Sequence, residues 1–360
     1  MMKAIHITVL ILIVVVVVST AIYLQQEQGE TKLKVIYAGS LIVPFEELEK
    51  QFESQHPGVD VQMEGHGSIQ VIRQVTDIHK AVDVLAVADY SLIPNMMYAT
   101  PSGEIYADWY VKFATNQMVI AYNNKSKYAD EINESNWYEI LGRPEVKFGF
   151  SNPMLDSCGY RTLMVIQLAE LYYNNQMIFD DLIACNFDPT ISVAKNGDTS
   201  IVFVPEIFEP RAEKVVVRGG SVQLLALLDY GGLDYAFQYK SVAQQHGLRF
   251  LGLPPPIDLS SPEYERDYKK VIVQLGFQRF ASVDIERVGR PIYYGVTIPR
   301  NAPQPELAVE FVKFVIGKKG QSILGDLEQP TIPPVADKFD VIPDELRLVV
   351  IKETKMLSRK

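Results

Sequence analysis

Two short loops combine glycine and serine in a pattern suited to binding a small anion. Residues 37–40 (Tyr-Ala-Gly-Ser) and 65–68 (Gly-His-Gly-Ser) each follow a strand-like apolar stretch and precede a segment with helical spacing. Glycine allows the backbone to approach a ligand closely, and a serine at a helix start offers its hydroxyl beside free N–H groups. Either Ser40 or Ser68 alone is most simply a helix N-cap. Because they occupy matching positions in successive strand–helix units, we predict that both bind a ligand.

A third loop, residues 151–161, adds a carboxylate to this chemistry. It also connects a predicted strand to a predicted helix, and Asp156 stands at the expected N-cap, a role that needs no ligand. A binding role beside an anion requires one of two mechanisms. The carboxylate accepts a hydrogen bond from a protonated oxyanion, or it coordinates a metal centre within the ligand.

The elements that must position these loops alternate between strands and helices. Apolar stretches predict strands at 33–38, 59–63 and 82–87, with helical spacing between them. The two helices are marked by Phe45, Leu48 and Phe52 and by Ile69, Ile72, Val75 and Ile78. This βαβαβ order predicts a mainly parallel sheet with helices on both faces. Ligands bind such sheets at the carboxyl ends of the strands, where both glycine–serine loops fall.

A second series of alternating elements begins near Phe113 and predicts a second α/β unit. The predicted strands are 117–122, 148–150, 202–204, 214–217 and 235–239. The predicted helices are 161–173 and 222–228. A β-rich segment at 291–298 then leads back to the first unit, and an amphipathic helix is predicted at 307–315.

The composition excludes several classes of protein. The 360 residues suffice for two domains, and 48% apolar residues exclude a largely disordered chain. The net charge of −10 and the lack of a basic run argue against nucleic-acid binding. No nucleophile elbow, paired-histidine metal motif or P-loop is present, so we expect no enzyme. His66 is expected to face solvent at the rim of the cleft, and Cys158 and Cys185 are more simply unpaired side chains than a disulfide.

The N-terminus carries a targeting signal. Lys3 is followed by an almost uninterrupted apolar run at residues 4–24, long enough to span a bilayer. The same run has the features of a secretory signal peptide, so a cleaved signal and an uncleaved membrane anchor both stay open for residues 1–24. Either places the chain from Gln25 outside the cytoplasm, with residues 25–31 as a polar tether.

Short motifs at these loops and beside them carry a family resemblance. They are 37–40, 67–68, 88–90 (ADY), 148–153 (FGFSNP), 158–161 (CGYR), 168–173 and 239–243 (YKSVA). Together they resemble the archaeal molybdate/tungstate-binding proteins of ABC transporters, over residues 32–346. The resemblance implies a type II periplasmic-binding fold, with two doubly wound α/β lobes joined by a hinge of crossover strands. It further implies a monomeric receptor, without a cofactor, that delivers its oxyanion to the permease and ATPase subunits of an importer.

The resemblance also implies the lobe boundaries and the ligand-binding residues. Lobe 1 is expected to comprise 32–115 and 291–346, and lobe 2 is expected to comprise 116–290, followed by a loosely ordered tail at 347–360. The implied ligand-binding residues are Ser40, Leu41 through its N–H, Ser68, Asp156, Ser157, Cys158 and Tyr239. The only metal that Asp156 would contact is the molybdenum or tungsten of the oxyanion. From the residues alone, Tyr239 is a core aromatic.

One departure from the family bears on the ligand. The second coordinating glutamate of the family aligns with Ser221, and a further family glutamate is replaced by Gly232. Ser221 begins a predicted helix behind two glycines, so it offers a hydroxyl and N–H donors instead. Molybdate or tungstate remains the expected ligand, and phosphate stays open because it can give Asp156 a proton. Sulfate has no such proton and is expected to be repelled.

Overall fold

The computed structural model describes residues 30–99, 103–276 and 285–353. The strands are β1 (Thr31–Ala38), β2 (Val59–His66), β3 (Val84–Val87), β4 (Val111–Thr115), β5 (Met118–Tyr122), β6 (Phe148–Ser151), β7 (Phe187–Asp188), β8 (Ser192–Asn196), β9 (Thr199–Val204), β10 (Glu209–Pro210), β11 (Val215–Arg218), β12 (Tyr235–Tyr239), β13 (Arg249–Gly252), β14 (Val271–Leu275), β15 (Glu286–Val288), β16 (Tyr293–Thr297), β17 (Thr331–Ala336) and β18 (Ile351–Lys352). The α-helices are α1 (Ile42–Gln55), α2 (Ser68–Thr76), α3 (Leu92–Met97), α4 (Trp137–Gly142), α5 (Ser157–Tyr173), α6 (Ile178–Leu182), α7 (Leu225–Asp229), α8 (Lys240–Gln245), α9 (Glu265–Tyr268), α10 (Pro305–Ile316), α11 (Lys318–Asp326) and α12 (Asp344–Arg347). Short 3-10 turns occupy Gly39–Leu41, Ala184–Asn186, Ser221–Leu224 and Pro262–Tyr264.

Two halves are built on separate sheets, and we call them lobe 1 and lobe 2. Lobe 1 holds a seven-stranded sheet in the order β18-β17-β4-β16-β3-β1-β2. Lobe 2 holds a five-stranded sheet, β11-β6-β12-β5-β13, and a four-stranded sheet, β15-β14-β9-β8, with α5 in contact with both. The chain crosses from lobe 1 to lobe 2 at Asn116 and Gln117, and it returns between β15 and β16.

The sheets are mixed, whereas the sequence predicts mainly parallel ones. Strand β1 pairs in parallel with β2 and β3, as the βαβαβ pattern predicts. Strand β16 enters antiparallel beside β3, and β4 is antiparallel to both β16 and β17. Strands β4 and β16 border the two crossovers, and β17 pairs beside β4. The prediction fails there because their partners are distant in sequence.

Helix faces follow the predicted apolar spacing, with one error. Phe45, Leu48 and Phe52 are fully buried on α1. The second predicted helix was extended to Ile78, but α2 ends at Thr76 and Ile78 is 70% exposed in the following turn. Helix α5 is buried over almost its whole length, which explains why its sequence is apolar on every side.

The structure describes part of the predicted C-terminal tail but not the predicted N-terminal apolar segment. Within residues 30–353, apart from the gaps, no helix is long and apolar enough to cross a membrane. The predicted segment 1–24 and residues 25–29 of the tether lie outside the described residues. The predicted tail is ordered in part, because β18 pairs with β17 and extends the sheet of lobe 1 to Lys352. Cys158 is buried, Cys185 is exposed, and the two are not bonded to each other.

Candidate functional site

Each of the three predicted loops ends a strand and begins a helix. The Gly39–Leu41 turn joins β1 to α1, with Ser40 and Leu41 buried. Gly67 follows β2 and is the N-cap of α2, whose first residue is Ser68. Asp156 caps α5, and its carboxylate accepts the N–H of Cys158 at 3.5 Å. All three loops therefore place a helix or 3-10 N-terminus directly after a strand, as the glycine and serine pattern predicts.

The loops of the two lobes meet. The Ser68 hydroxyl of lobe 1 lies 3.1 Å from the Ser157 hydroxyl of lobe 2. The carbonyl oxygen of Leu155 accepts the N–H groups of Ile69 at 3.1 Å and Gln70 at 3.2 Å, so backbone hydrogen bonds also join the lobes. The structure thus represents a closed arrangement of the cleft.

Asp156 lies among N–H donors from lobe 2. Its carboxylate accepts the N–H of Ser221 at 3.1 Å as well as that of Cys158, and only 6% of the residue is exposed. Burial raises the pKa of Asp156 above its usual range, opposed by hydrogen bonds that include these two N–H groups. The buried carboxylate of Asp156 is therefore faced by the N–H donor of Ser221, the residue that the resemblance aligns with a glutamate.

A buried tyrosine supports Ser40. The Ser40 hydroxyl lies 2.9 Å from the hydroxyl of Tyr294, on β16. The side-chain amide of Asn116, at the first crossover, donates to the same Tyr294 hydroxyl at 3.0 Å. The sequence prediction missed both residues. The segment 291–298 is recognisable as a strand, but nothing local indicates that its tyrosine reaches Ser40.

A second buried tyrosine supports Ser157. The Tyr239 hydroxyl lies 2.9 Å from the Ser157 hydroxyl and accepts a hydrogen bond from Arg161 Nη1 at 2.7 Å. The same nitrogen donates to the carbonyl oxygen of Ala88 in lobe 1 at 2.8 Å. Tyr239, predicted from the resemblance, is therefore adjacent to the other site residues. Arg161 belongs to the CGYR motif, but nothing in the neighbouring sequence indicates this role.

An ion pair between the lobes holds Arg161. Its Nη2 lies 3.4 Å from a carboxylate oxygen of Asp89 in lobe 1, and the Tyr160 hydroxyl donates to that oxygen at 2.7 Å. Burial would raise the pKa of Asp89, but the charges of Arg161 and Arg290, together with hydrogen bonds, hold it at about 2. Both partners are thus charged and buried where lobe 1 meets lobe 2.

Two further reactive side chains, Cys158 and His66, belong to these loops. Burial raises the pKa of the Cys158 thiol, which disfavours the reactive thiolate. His66 is partly exposed, and its Nε2 lies 3.5 Å from a carboxylate oxygen of Glu64. Among the described residues, no group of three or more His, Cys, Asp or Glu side chains is placed to hold a metal ion.

A substitution at Gly67 tests whether ligand binding depends on the closed arrangement of the lobes. A Cβ at this position would lie 2.4 Å from the carbonyl oxygen of Leu155 across the cleft. We expect Gly67→Ala to weaken oxyanion binding about tenfold or more, because relieving the overlap requires the lobes to separate. Titration calorimetry measures this effect. The control is Gly220→Ala, since a Cβ at Gly220 has no atom within 4 Å; equal affinities for the two variants would contradict the expectation.

Comparisons with known proteins identify the family. Residues 33–326 match the family described as bacterial extracellular solute-binding protein. The chain belongs to this family of extracytoplasmic transport proteins, which is not a class of enzymes. Among solved structures, the periplasmic molybdate-binding protein of Azotobacter vinelandii has a TM-score of 0.53 at 17% identity, covering 82% of this chain and 98% of that protein. The likeness confirms the predicted periplasmic-binding fold in its mixed α/β form.

Sequence relatives cover nearly the whole chain. The molybdate/tungstate-binding protein WtpA of Pyrococcus abyssi is 43% identical over 335 residues, which are 91% of this chain and 92% of that protein. WtpA of Thermococcus kodakarensis is 40% identical over 333 residues, covering 90% and 89%. An uncharacterized solute-binding protein of Methanoculleus marisnigri is 44% identical over 321 residues, covering 89% and 87%. The resemblance stated from the motifs is therefore confirmed.

Proposed function

We propose that this protein captures molybdate or tungstate between its two lobes outside the cell and delivers it to an ABC importer. One observation carries the proposal: serine hydroxyls from both lobes meet beside helix N-termini, with Ser68 and Ser157 in contact. Helix N-termini bind oxyanions without a lysine or arginine in direct contact. The naming of two relatives as molybdate/tungstate-binding proteins supports the choice of ligand.

The proposed ligand-binding residues come from both lobes. They are Ser40, Leu41, Ser68, Asp156, Ser157, Cys158, Ser221 and Tyr239. Lobe 1 would comprise 32–115 and 291–346, and lobe 2 would comprise 116–290. An anion held by one lobe alone lacks the donors of the other. Ligand binding therefore favours the closed state of the receptor. The permease and ATPase subunits of the importer can distinguish this state from the open one.

The N-terminal segment would keep the receptor at the outer face of the membrane or direct its export. A signal peptide and an anchor both fit the apolar residues 4–24. Mass determination of the protein isolated from its cells separates them, since cleavage removes the first residues.

Phosphate is the second candidate ligand. It is favoured by the environment of Ser221, whose N–H donates to Asp156 where the resembling proteins have a second carboxylate. With one carboxylate, a tetrahedral ion would be held by hydrogen bonds alone, and hydrogen phosphate has a proton for Asp156.

Titration calorimetry of the full-length chain, purified in detergent, tests the proposal. The ligands are tungstate, molybdate, sulfate and phosphate. We expect tight binding of tungstate and molybdate alone, which would mean that one carboxylate suffices. Binding of phosphate in their place, or of no anion, would contradict the proposed ligand.

A further inference from the structure

We infer that Arg161 and Asn116 are positioning residues that fix the direction of the hydrogen bonds in the cleft. They make the serine hydroxyls present protons, and not lone pairs, to the ligand. The site would then select oxyanions by their protonation state as well as by size. This inference rests on the proposed function and adds to it the residues that determine specificity.

The first relay begins at Arg161. A guanidinium group only donates hydrogen bonds, so the Tyr239 hydroxyl accepts from Arg161 at 2.7 Å. If Ser157 also donated to Tyr239, the phenolic proton would be buried without an acceptor among the described residues, which is unfavourable. Tyr239 therefore donates, either to Ser157 at 2.9 Å or to a ligand.

The direction of the Tyr239 hydrogen bond also determines the direction of the serine hydrogen bonds in both lobes. Because the Ser157 hydroxyl accepts from Tyr239, its own proton points to Ser68, at 3.1 Å, or to a ligand in the cleft. Ser68 already accepts the backbone N–H of Ala88 at 3.1 Å. With its lone pairs occupied in this way, Ser68 has a proton left to offer.

The second relay begins at Asn116 and reaches the cleft from the hinge. The amide oxygen of Asn116 accepts the backbone N–H groups of Gln117 at 3.0 Å and Ser241 at 3.4 Å, which fixes the amide orientation. Its nitrogen therefore donates to the Tyr294 hydroxyl at 3.0 Å. By the same reasoning Tyr294 donates to Ser40, and the Ser40 proton remains for the ligand.

The two relays suit an anion without protons. Fully deprotonated molybdate and tungstate only accept hydrogen bonds, so every directed hydroxyl finds an acceptor. A protonated phosphate needs an acceptor for its own proton. Among the site residues named above, the acceptor for such a proton would be Asp156, whose carboxylate already receives the N–H groups of Ser221 and Cys158. The site therefore discriminates between the two kinds of anion in two ways. The directed hydroxyls donate to a deprotonated anion, and they offer no lone pair to the proton of a protonated one.

Tyr294→Phe tests the second relay without changing a charge. The full-length chain in detergent is titrated with tungstate and with phosphate at a pH below the second ionisation of phosphate. In the variant the Ser40 hydroxyl is free to turn and accept a proton. We expect tungstate affinity to fall about tenfold while the affinity for protonated phosphate is kept or rises, so that the tungstate-to-phosphate ratio of affinities falls about tenfold or more.

Tyr235→Phe is the matched control. Tyr235 is also a buried tyrosine, but its hydroxyl donates to the carbonyl oxygen of Lys127 at the other end of β12 from Tyr239. We expect it to leave the ratio unchanged. If Tyr294→Phe lowered both affinities by the same factor, Tyr294 would have only a structural role, and the inference would be overturned.

Substitutions at Arg161 test the first relay. Arg161→Lys keeps a donor-only cation and is expected to keep the tungstate-to-phosphate ratio, even where the affinity drops. Arg161→Met removes the donor and is expected to lower the ratio at least as much as Tyr294→Phe. A ratio that is equal in both Arg161 variants would overturn the inference. If the wild type bound tungstate no better than phosphate, the proposed ligand would be wrong as well, which separates the two failures.

Discussion

Asp156→Ala is expected to weaken tungstate binding about a hundredfold, equivalent to ~3 kcal/mol. The carboxylate holds the N–H groups of Ser221 and Cys158 at 3.1 and 3.5 Å. Its removal leaves these buried donors without their partner and takes away the acidic contact that the ligand would make. Titration calorimetry with tungstate measures the loss directly.

Asp156→Asn separates the two possible roles of the carboxylate. The amide keeps the size and one acceptor oxygen but lacks the charge needed to coordinate a metal centre. The amide oxygen can still accept one of the two N–H groups, whereas the amide NH2 cannot accept the other. If the carboxylate acts by hydrogen bonding, we expect the Asn variant to lose about tenfold, less than the Ala variant. Equal loss in the Ala and Asn variants would indicate coordination of the metal, and wild-type affinity in both would remove Asp156 from the site.

Asp234→Asn is the matched control for these variants. The carboxylate of Asp234 also accepts two backbone N–H groups, from Lys127 at 3.1 Å and Lys147 at 2.8 Å. It precedes β12, at the end of that strand away from Tyr239. We expect Asp234→Asn to lower the free energy of unfolding and to leave the tungstate affinity unchanged. A loss of affinity in this control would show that losing any buried carboxylate weakens binding.

The sequence was sufficient for the parts of the site that depend on local structure. Each glycine–serine loop lies between a strand and a helix, and these elements are visible in the periodicity of neighbouring residues. The strand at 235–239 has the predicted bounds, and α5 begins only four residues before its predicted start at Arg161. Local propensity and turn chemistry determine such elements, so a single sequence carries the information.

The supporting residues could not be predicted, because their roles depend on contacts distant in the chain. Ser40 and Tyr294 are 254 positions apart, and Asn116 and Tyr294 are 178 apart. No periodicity extends over such separations. The antiparallel neighbours of β3 and β4 were missed for the same reason, since β16 and β17 follow a whole second lobe.

The carboxylate of Asp89 is expected to contribute strongly to stability, because it neutralises Arg161 in the interior. Asp89→Asn keeps the shape but leaves the guanidinium without its counter-charge. We expect the free energy of unfolding to fall by about 3–5 kcal/mol. Urea denaturation of the full-length chain measures the change. An exposed ion pair gives the control: Asp108→Asn, which breaks the contact with Arg300, is expected to cost less than about 1 kcal/mol.

The pH dependence of this effect follows from the direction of the pKa shift. The pKa of Asp89 is about 2 in the folded protein, below its ordinary 3.8. A lowered pKa means that the ionised carboxyl stabilises the fold above about pH 4, and that this contribution, about 2 kcal/mol, is lost as the pH falls towards 2. The difference in unfolding free energy between wild type and Asp89→Asn should therefore narrow between pH 7 and pH 3. A difference that is constant over this range would mean that the charge of Asp89 is not what stabilises the contact between the lobes.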